Sequence, residues 1–260
     1  MKIDFYKYQG TGNDFVMIDN RTNDFPKENI SLINQLCDRR FGIGADGLIL
    51  LENSDTTDFK MVYFNADGNE SSMCGNGGRC LVAFANKLGV IDESTTFDAI
   101  DGLHHATVNN EIVSLQMIDV EKVNNFESHV FLDTGSPHHI EFVEDVAAID
   151  VQTKGRSIRN GAPYFAEGTN VNFAEVIDSS TLKVRTYERG VEDETLSCGT
   201  GVTAAAIAAN FEGIIDVSSI NIKVLGGDLN ISFENNDNYQ YSNVILTGPA
   251  NFVFKGVFEL

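Results

Sequence analysis

Cys74-Gly75-Asn76-Gly77 returns 124 residues later as Cys198-Gly199-Thr200-Gly201, and each turn opens a run of helical character. Cys80-Leu-Val-Ala-Phe-Ala85 follows the first turn and carries no charge. Val202-Thr-Ala-Ala-Ala-Ile-Ala-Ala209 follows the second, with the next charge at Glu212. A helix without a polar face is buried on most sides. Gly89 and Gly213 stand where such helices would stop. Two more pairs recur in the same order. Thr11-Gly12-Asn13 is matched by Thr134-Gly135-Ser136 at an offset of 123, and the segment ending in Gly68 by Tyr187-Glu188-Arg189-Gly190 at an offset of 122. Three pairs in one order describe two copies of one unit, near 1–117 and 118–260. An array of short repeats would show shorter periods and more copies.

Around the two helices the chain reads as strands. Phe59-Lys-Met-Val-Tyr-Phe64 has strand residues and partial alternation, and Thr181-Leu-Lys-Val-Arg-Thr-Tyr187 alternates, with Leu182 and Val184 on one face and Lys183 and Arg185 on the other. Segments 104–117, 219–233 and 241–247 read as further strands. The simplest architecture is a buried helix surrounded by strands in each half. The linker is placed only loosely, near Asp119–Asn125, because neither Pro nor Gly marks it.

Composition narrows the function classes. The chain has 260 residues, 42% apolar and 22% charged, which is ordinary for a globular protein. Lys plus Arg is 18 against 38 for Asp plus Glu, a formal charge of −20. Phosphate contacts are made mainly by Lys and Arg, so nucleic acid is not the expected partner. No apolar run has the length of a membrane helix, and MKIDFYKYQG lacks the apolar core of an export signal. Without export, the four cysteines are not expected to form a disulfide framework, and no CxxC pair supports structural zinc. Cys37, in the helical pattern Ser31–Arg40, and Cys80 read as small buried side chains. His104, His105 and His129 have no metal-ligand spacing, and Arg156 and Arg159 read as solvated loop charges. Gly42-Ile-Gly-Ala-Asp-Gly47 lacks the dinucleotide register. No cofactor and no metal are expected.

Cys74 and Cys198 are different, because each sits where a helix begins. Amides there lie outside the helical hydrogen-bond ladder and the dipole is positive, which lowers a thiol pKa and draws a carboxylate. A pseudo-dyad can bring both turns to one cleft, with a thiol on each side of a bound ligand. Two thiols flanking a carbon next to a carboxylate suit one reaction. A thiolate removes the proton from one face, a thiol returns one to the other, and the stereocentre inverts. Amides of both turns can stabilise the charge that builds on the carboxylate.

The motifs Thr11-Gly-Asn-Asp-Phe15, Gly42-Ile-Gly-Ala-Asp46, Phe64-Asn-Ala-Asp-Gly68, Cys74-Gly-Asn-Gly-Gly-Arg79, Tyr187-Glu-Arg-Gly190 and Cys198-Gly-Thr-Gly201 together resemble the diaminopimelate epimerase family over nearly the whole chain. The resemblance implies an α/β (α+β) protein of two pseudo-symmetric domains, each a mixed sheet rolled around a central helix. These are residues 1–117, completed by a C-terminal strand at about 248–260, and residues 118–247. It implies a cofactor-independent, two-base epimerase that converts LL-diaminopimelate to the meso form in lysine and peptidoglycan precursor synthesis. It also implies a cytoplasmic homodimer. Cys74 and Cys198 become the acid–base pair. Gly75, Asn76, Gly199 and Thr200 would hold the reacting carboxylate; Asn13, Asn65 and Asn170 would hydrogen-bond the ligand. Arg189 would grip the distal carboxylate, and Glu188 an ammonium group. Glu188 and His138 would tune the thiols. Asn172, two residues past Asn170, would face the same side of its strand.

Two positions depart from the family pattern. Ser136 stands where many members have Asn, and Gly47 where some have Gln, both on the expected ligand wall. The loop 191–197 is a residue longer than in some members. A thiol racemase of another amino acid, such as histidine or hydroxyproline, is the nearest rival, and Arg189 discriminates, since only a ligand with a second carboxylate needs it. A redox-responsive binding protein using a reversible Cys74–Cys198 disulfide is the rival from another class.

Overall fold

Each cysteine turn opens a helix of thirteen residues, Gly75–Lys87 and Gly199–Phe211. The glycine-rich turns therefore form the first turn of the helix itself. The reason is close approach. A Cβ on Gly77 would lie 2.8 Å from Ile49 Cδ1, and one on Gly201 would lie 2.4 Å from Asn172 Oδ1. Gly89 and Gly213 follow the helix ends with φ of +69° and +67°, a conformation that favours glycine.

The computed structural model describes residues 2–71, 73–236 and 238–260. The chain divides into two compact units, Met1–Leu115 with Gly248–Leu260, and Gln116–Thr247. Along the chain the first elements are β1 (Lys2–Gly10), β2 (Asn13–Asp19), α1 (Ile30–Cys37), β3 (Gly47–Glu52), β4 (Phe59–Asn65), α2 (Gly75–Lys87), β5 (Ser94–Ala99), β6 (Gly102–Asn109) and β7 (Ile112–Gln116). Then come β8 (Val123–Asn125), β9 (Val130–Asp133), β10 (Pro137–Phe142), α3 (Val151–Asn160), β11 (Asn170–Asp178), β12 (Thr181–Glu188) and β13 (Asp193–Thr195). The chain closes with α4 (Gly199–Phe211), β14 (Ser219–Val224), β15 (Gly227–Asn235), β16 (Tyr241–Pro249) and β17 (Asn251–Glu259).

The two units repeat one pairing scheme. β2 runs parallel to β3, which is antiparallel to β4; β10 runs parallel to β11, which is antiparallel to β12. β4 then lies parallel to β5, as β12 does to β14. β17 pairs along β1 in the first unit, where β8 pairs with β9 in the second. The result is a mixed sheet with few helices in each unit. Helix α2 packs on β1, β2, β3, β4, β6 and β17, and α4 on β9, β10, β11, β12, β14 and β15. Leu48 to Leu51 are all buried, because Ile49 faces α2 while Leu48 and Leu50 join Leu32, Ile33 and Leu36 of α1 in a second layer. In the other unit Val171, Phe173 and Tyr187 pack with Val146, ahead of α3, and with Val151 at its start.

Two local expectations are corrected. Arg156 and Arg159 lie on helix α3 rather than in a loop, and Arg159 Nε pairs with Glu192 at 2.9 Å with a side chain only 16% exposed. Asp150 caps that helix through Thr153 N, a signal that an apolar-period search overlooks because the helix is mostly polar. The segment taken as linker contains β8.

Candidate active site

In the first unit the site is built on the β1–β2 turn, the end of β4 and the start of α2. Thr11 and Gly12 turn the chain with φ of +49° and +86°, which places Asn13 at the head of β2. Asn13 Nδ2 donates to Asp46 Oδ2 at 2.6 Å. Its Oδ1 accepts from Asn76 Nδ2 at 3.3 Å and from Cys74 Sγ at 3.7 Å. The structure thus brings Asn13, Cys74 and Asn76 together. The turn is held by charge: Lys7 pairs with Asp14 at 2.7 Å, and Arg39 pairs with both Asp14 and Asp46 at 2.7 Å. Those cations hold the Asp14 carboxyl at about 2, against the opposing effect of its burial.

Cys74 has extended backbone and does not cap α2 with its side chain; the first helical bond runs from Gly78 N to the Cys74 carbonyl. Gly75 and Asn76 are buried, and Cys74 is half-buried. Asn65 is exposed at the end of β4, directly across from Gly47 on β3. Gly47 is bare for a steric reason. A Cβ there would lie 2.5 Å from Tyr63 Cε2 and 3.1 Å from the Tyr63 hydroxyl oxygen. The Tyr63 ring fills the space where a longer side chain at 47 would stand. Nothing in the spacing of the sequence singled out Tyr63, since aromatic residues are common in strands.

In the second unit the corresponding parts are the β9–β10 turn, the ends of β11 and β12, and the start of α4. Cys198 has the same extended backbone, does not cap its helix, and is only 7% exposed. Thr200 Oγ1 lies 3.5 Å from its Sγ. Thr134 Oγ1 donates to the Thr200 carbonyl at 2.9 Å and ties the β9–β10 turn to the helix start. Ser136 sits half-buried at that turn, its carbonyl accepting from Thr134 N. Gly199 is buried.

His138 is fully enclosed. Burial, helped by the nearby Arg189 charge, pushes it down to about 3. Its Nδ1 accepts from Asn172 Nδ2 at 3.1 Å, so the neutral ring carries its proton on Nε2, an atom without a hydrogen-bond partner among the described residues. Asn172 Oδ1 in turn accepts from Thr186 Oγ1 at 2.9 Å. Asn172 therefore orients His138. Asn170 also ties the turns together: its Nδ2 donates to the Pro137 carbonyl at 3.2 Å and its Oδ1 accepts from Arg189 N at 2.9 Å. Arg189 Nη1 donates to the Glu167 carbonyl at 3.0 Å, and Glu188 is half-buried beside it at the end of β12. Among the described residues no group of three His, Cys, Asp or Glu side chains could hold a metal ion.

Fold and sites together define a duplicated α+β protein in which each unit sets a cysteine at the start of its central helix. Solved structures share this fold over the full chain. One is a phenazine biosynthesis protein of the PhzF family from Bacillus anthracis, with TM-score 0.80, 13% identity and 100% of both chains covered. Another is a hydroxyproline epimerase from Agrobacterium vitis, with TM-score 0.70, 14% identity, and 98% and 92% covered. The chain belongs to the diaminopimelate epimerase family, a family of isomerases, whose model matches residues 5–123 and 130–253. It is 60% identical over 251 residues to the diaminopimelate epimerase of Flavobacterium psychrophilum, covering 96% of this chain and 98% of that one. It is 43% identical to that of Chlorobaculum tepidum, covering 96% and 99%.

Proposed function

We propose that this chain interconverts LL- and meso-2,6-diaminopimelate, with Cys74 and Cys198 acting on opposite faces of one α-carbon. The observation that carries this reading is the pair of cysteines that stand, with the same backbone, before the glycine-started helices of both units. In one direction a thiolate takes the α-proton: the C–H bond breaks, an S–H bond forms, and the electron pair moves onto the substrate carboxylate. The other thiol then gives its proton to the opposite face. The reverse reaction exchanges the roles. Gly75, Asn76, Gly199 and Thr200 supply amides at the two helix starts, where positive dipole ends favour the extra charge on the carboxylate.

The other roles follow the same pattern. Asn13 and Asn65 bind substrate from the first unit, and Asn170, Glu188 and Arg189 from the second. Arg189 takes the distal carboxylate, where its planar fork fits. Glu188 meets an ammonium group. His138, neutral at physiological pH, offers an uncharged Nε2–H and leaves the thiol pair to carry the ionisation. Acid, base and carbanion stabiliser all come from the chain, so the reaction as proposed needs no cofactor. The family resemblance supports a homodimer in the cytoplasm. No helix among the described residues is long and apolar enough to cross a membrane.

The test is incubation of the reduced protein with LL-diaminopimelate in heavy water. Epimerisation with deuterium entering the α-carbon is expected, and Cys74→Ala and Cys198→Ala should each abolish it. Turnover without deuterium, or turnover in either variant, would overturn the two-thiol reading. No turnover at all would favour a redox-responsive binding protein. Turnover of another amino acid alone would favour a different thiol racemase.

A further inference from the structure

Helix α2 carries Arg79 where helix α4 carries Thr203; each is the fifth residue past its cysteine. Arg79 Nη1 donates to the Gly75 carbonyl at 3.3 Å, and Thr203 Oγ1 donates to the Gly199 carbonyl at 2.9 Å. The two side chains thus serve the same acceptor, the carbonyl of the residue after the cysteine. They differ in charge. The Arg79 guanidinium is fully buried, its Nη2 reaches Asn76 Oδ1 at 3.0 Å and Thr11 Oγ1 at 3.5 Å, and its Nε has no hydrogen-bond partner among the described residues. Each of these acceptors is neutral, whereas buried charges are ordinarily paired.

Among the described residues, the groups whose charge acts on Arg79 are the thiols of Cys80 and Cys74. Cys80 is fully enclosed, and burial pushes its thiol up to about 12, so it is no anion near neutral pH. Tyr8, which faces Cys80 from β1, is likewise kept neutral by burial. Asp14 acts on Cys80 from β2 but is committed to Lys7 and Arg39. Cys74 remains. The contact with Asn13 works against its ionisation, because Asn13 Oδ1 accepts from the protonated thiol, at 3.7 Å. A neutral hydrogen bond this long is worth far less than it costs to leave a buried ion unpaired. The guanidinium decides the balance. On the other side, Thr200 Oγ1 can serve either protonation state of Cys198.

We propose that Arg79 is a positioning residue that makes the two thiols unequal: it is the buried counter-charge of a Cys74 thiolate, while Cys198, whose helix has Thr203 in that place, rests as the thiol. This rests on the two-thiol reading but extends it, because that reading leaves open which sulfur is ionised before substrate arrives. Arg79 touches neither reacting atom in this proposal; it acts through Cys74.

The test is site-resolved alkylation of the reduced, substrate-free protein with iodoacetamide from about pH 5 to about pH 10, a range that spans shifted thiol ionisations. Peptide mass spectrometry reads each cysteine separately. In the wild type, Cys74 should begin to react at a lower pH than Cys198. Arg79→Met should move the Cys74 profile upward by about one pH unit or more, with the Cys198 profile in place. Arg79→Lys should restore most of the difference. Coincident profiles, or Cys198 reacting first in the wild type, would overturn the proposal. So would an unmoved Cys74 profile in an Arg79→Met protein of native circular dichroism. Should that variant not fold, the wild-type order and the Arg79→Lys profile decide. Alkylation needs no turnover, so its outcome is separate from the heavy-water result.

Discussion

His138 ties a local motif to a measurable property of the whole chain. Its ordinary pKa is near 6.5, and burial takes it to about 3 in the folded protein. Between those values the unfolded chain binds a proton that the native one refuses. Stability therefore rises with pH across that window and is lost as pH falls from about 6.5 toward about 3. The slope from this one group is about 1.4 kcal/mol per pH unit. His138→Asn should remove that part of the slope. Urea denaturation of both proteins at about pH 5 and about pH 6.5 checks it, and identical pH dependence would show that His138 is not excluded from protonation. The sequence placed His138 in Thr-Gly-Ser-Pro-His. It did not reveal the partner, because Asn172 reaches His138 only through the parallel pairing of β10 with β11.

At the scale of the element, α4 poses a contest between propensity and packing. Replacing Gly201 by Ala in an isolated helix would stabilise it by about 1 kcal/mol. Here the new Cβ would lie 2.4 Å from Asn172 Oδ1. Asn172 is held by Thr186 and His138 and cannot move aside without breaking that network. Overpacking costs about 1–3 kcal/mol, so Gly201→Ala should lower the urea midpoint and displace His138. A midpoint equal to or above the wild type's would mean that the approach is loose. The helices themselves were readable from the sequence: an uncharged run, a cysteine turn before it and a glycine after it are local features. The reason glycine stands in their first turns was not, since only the packed structure shows a neighbouring strand that demands its small size.

For the molecule as a whole, β17 completes the first unit from the far end of the chain. It pairs with β1 from Lys2 to Gln9, Phe254 meets Phe5 edge-on at 5.9 Å, and Phe258 packs on the core that includes Ile3 and Phe5. Deleting residues 251–260 should leave β1 as an unpaired edge and uncover that core. Hydrogen exchange should then show lost protection in β1 to β4, with α4 and β9 to β12 keeping theirs. Unchanged protection in β1 would show that the strand is dispensable.

The sequence by itself determined the duplication, the two cysteine-headed helices and the family, because these are carried by residue identity at short range and by one repeated spacing. Only the tertiary structure decided that Tyr63 fills the space above Gly47, that Asn172 rather than Asn170 holds His138, and that Arg79 lies buried without a carboxylate among the described residues. Those facts belong to strand pairing and to enclosure by distant segments. Burial and the loss of solvent that sets a charge's cost are created only when those segments close around it.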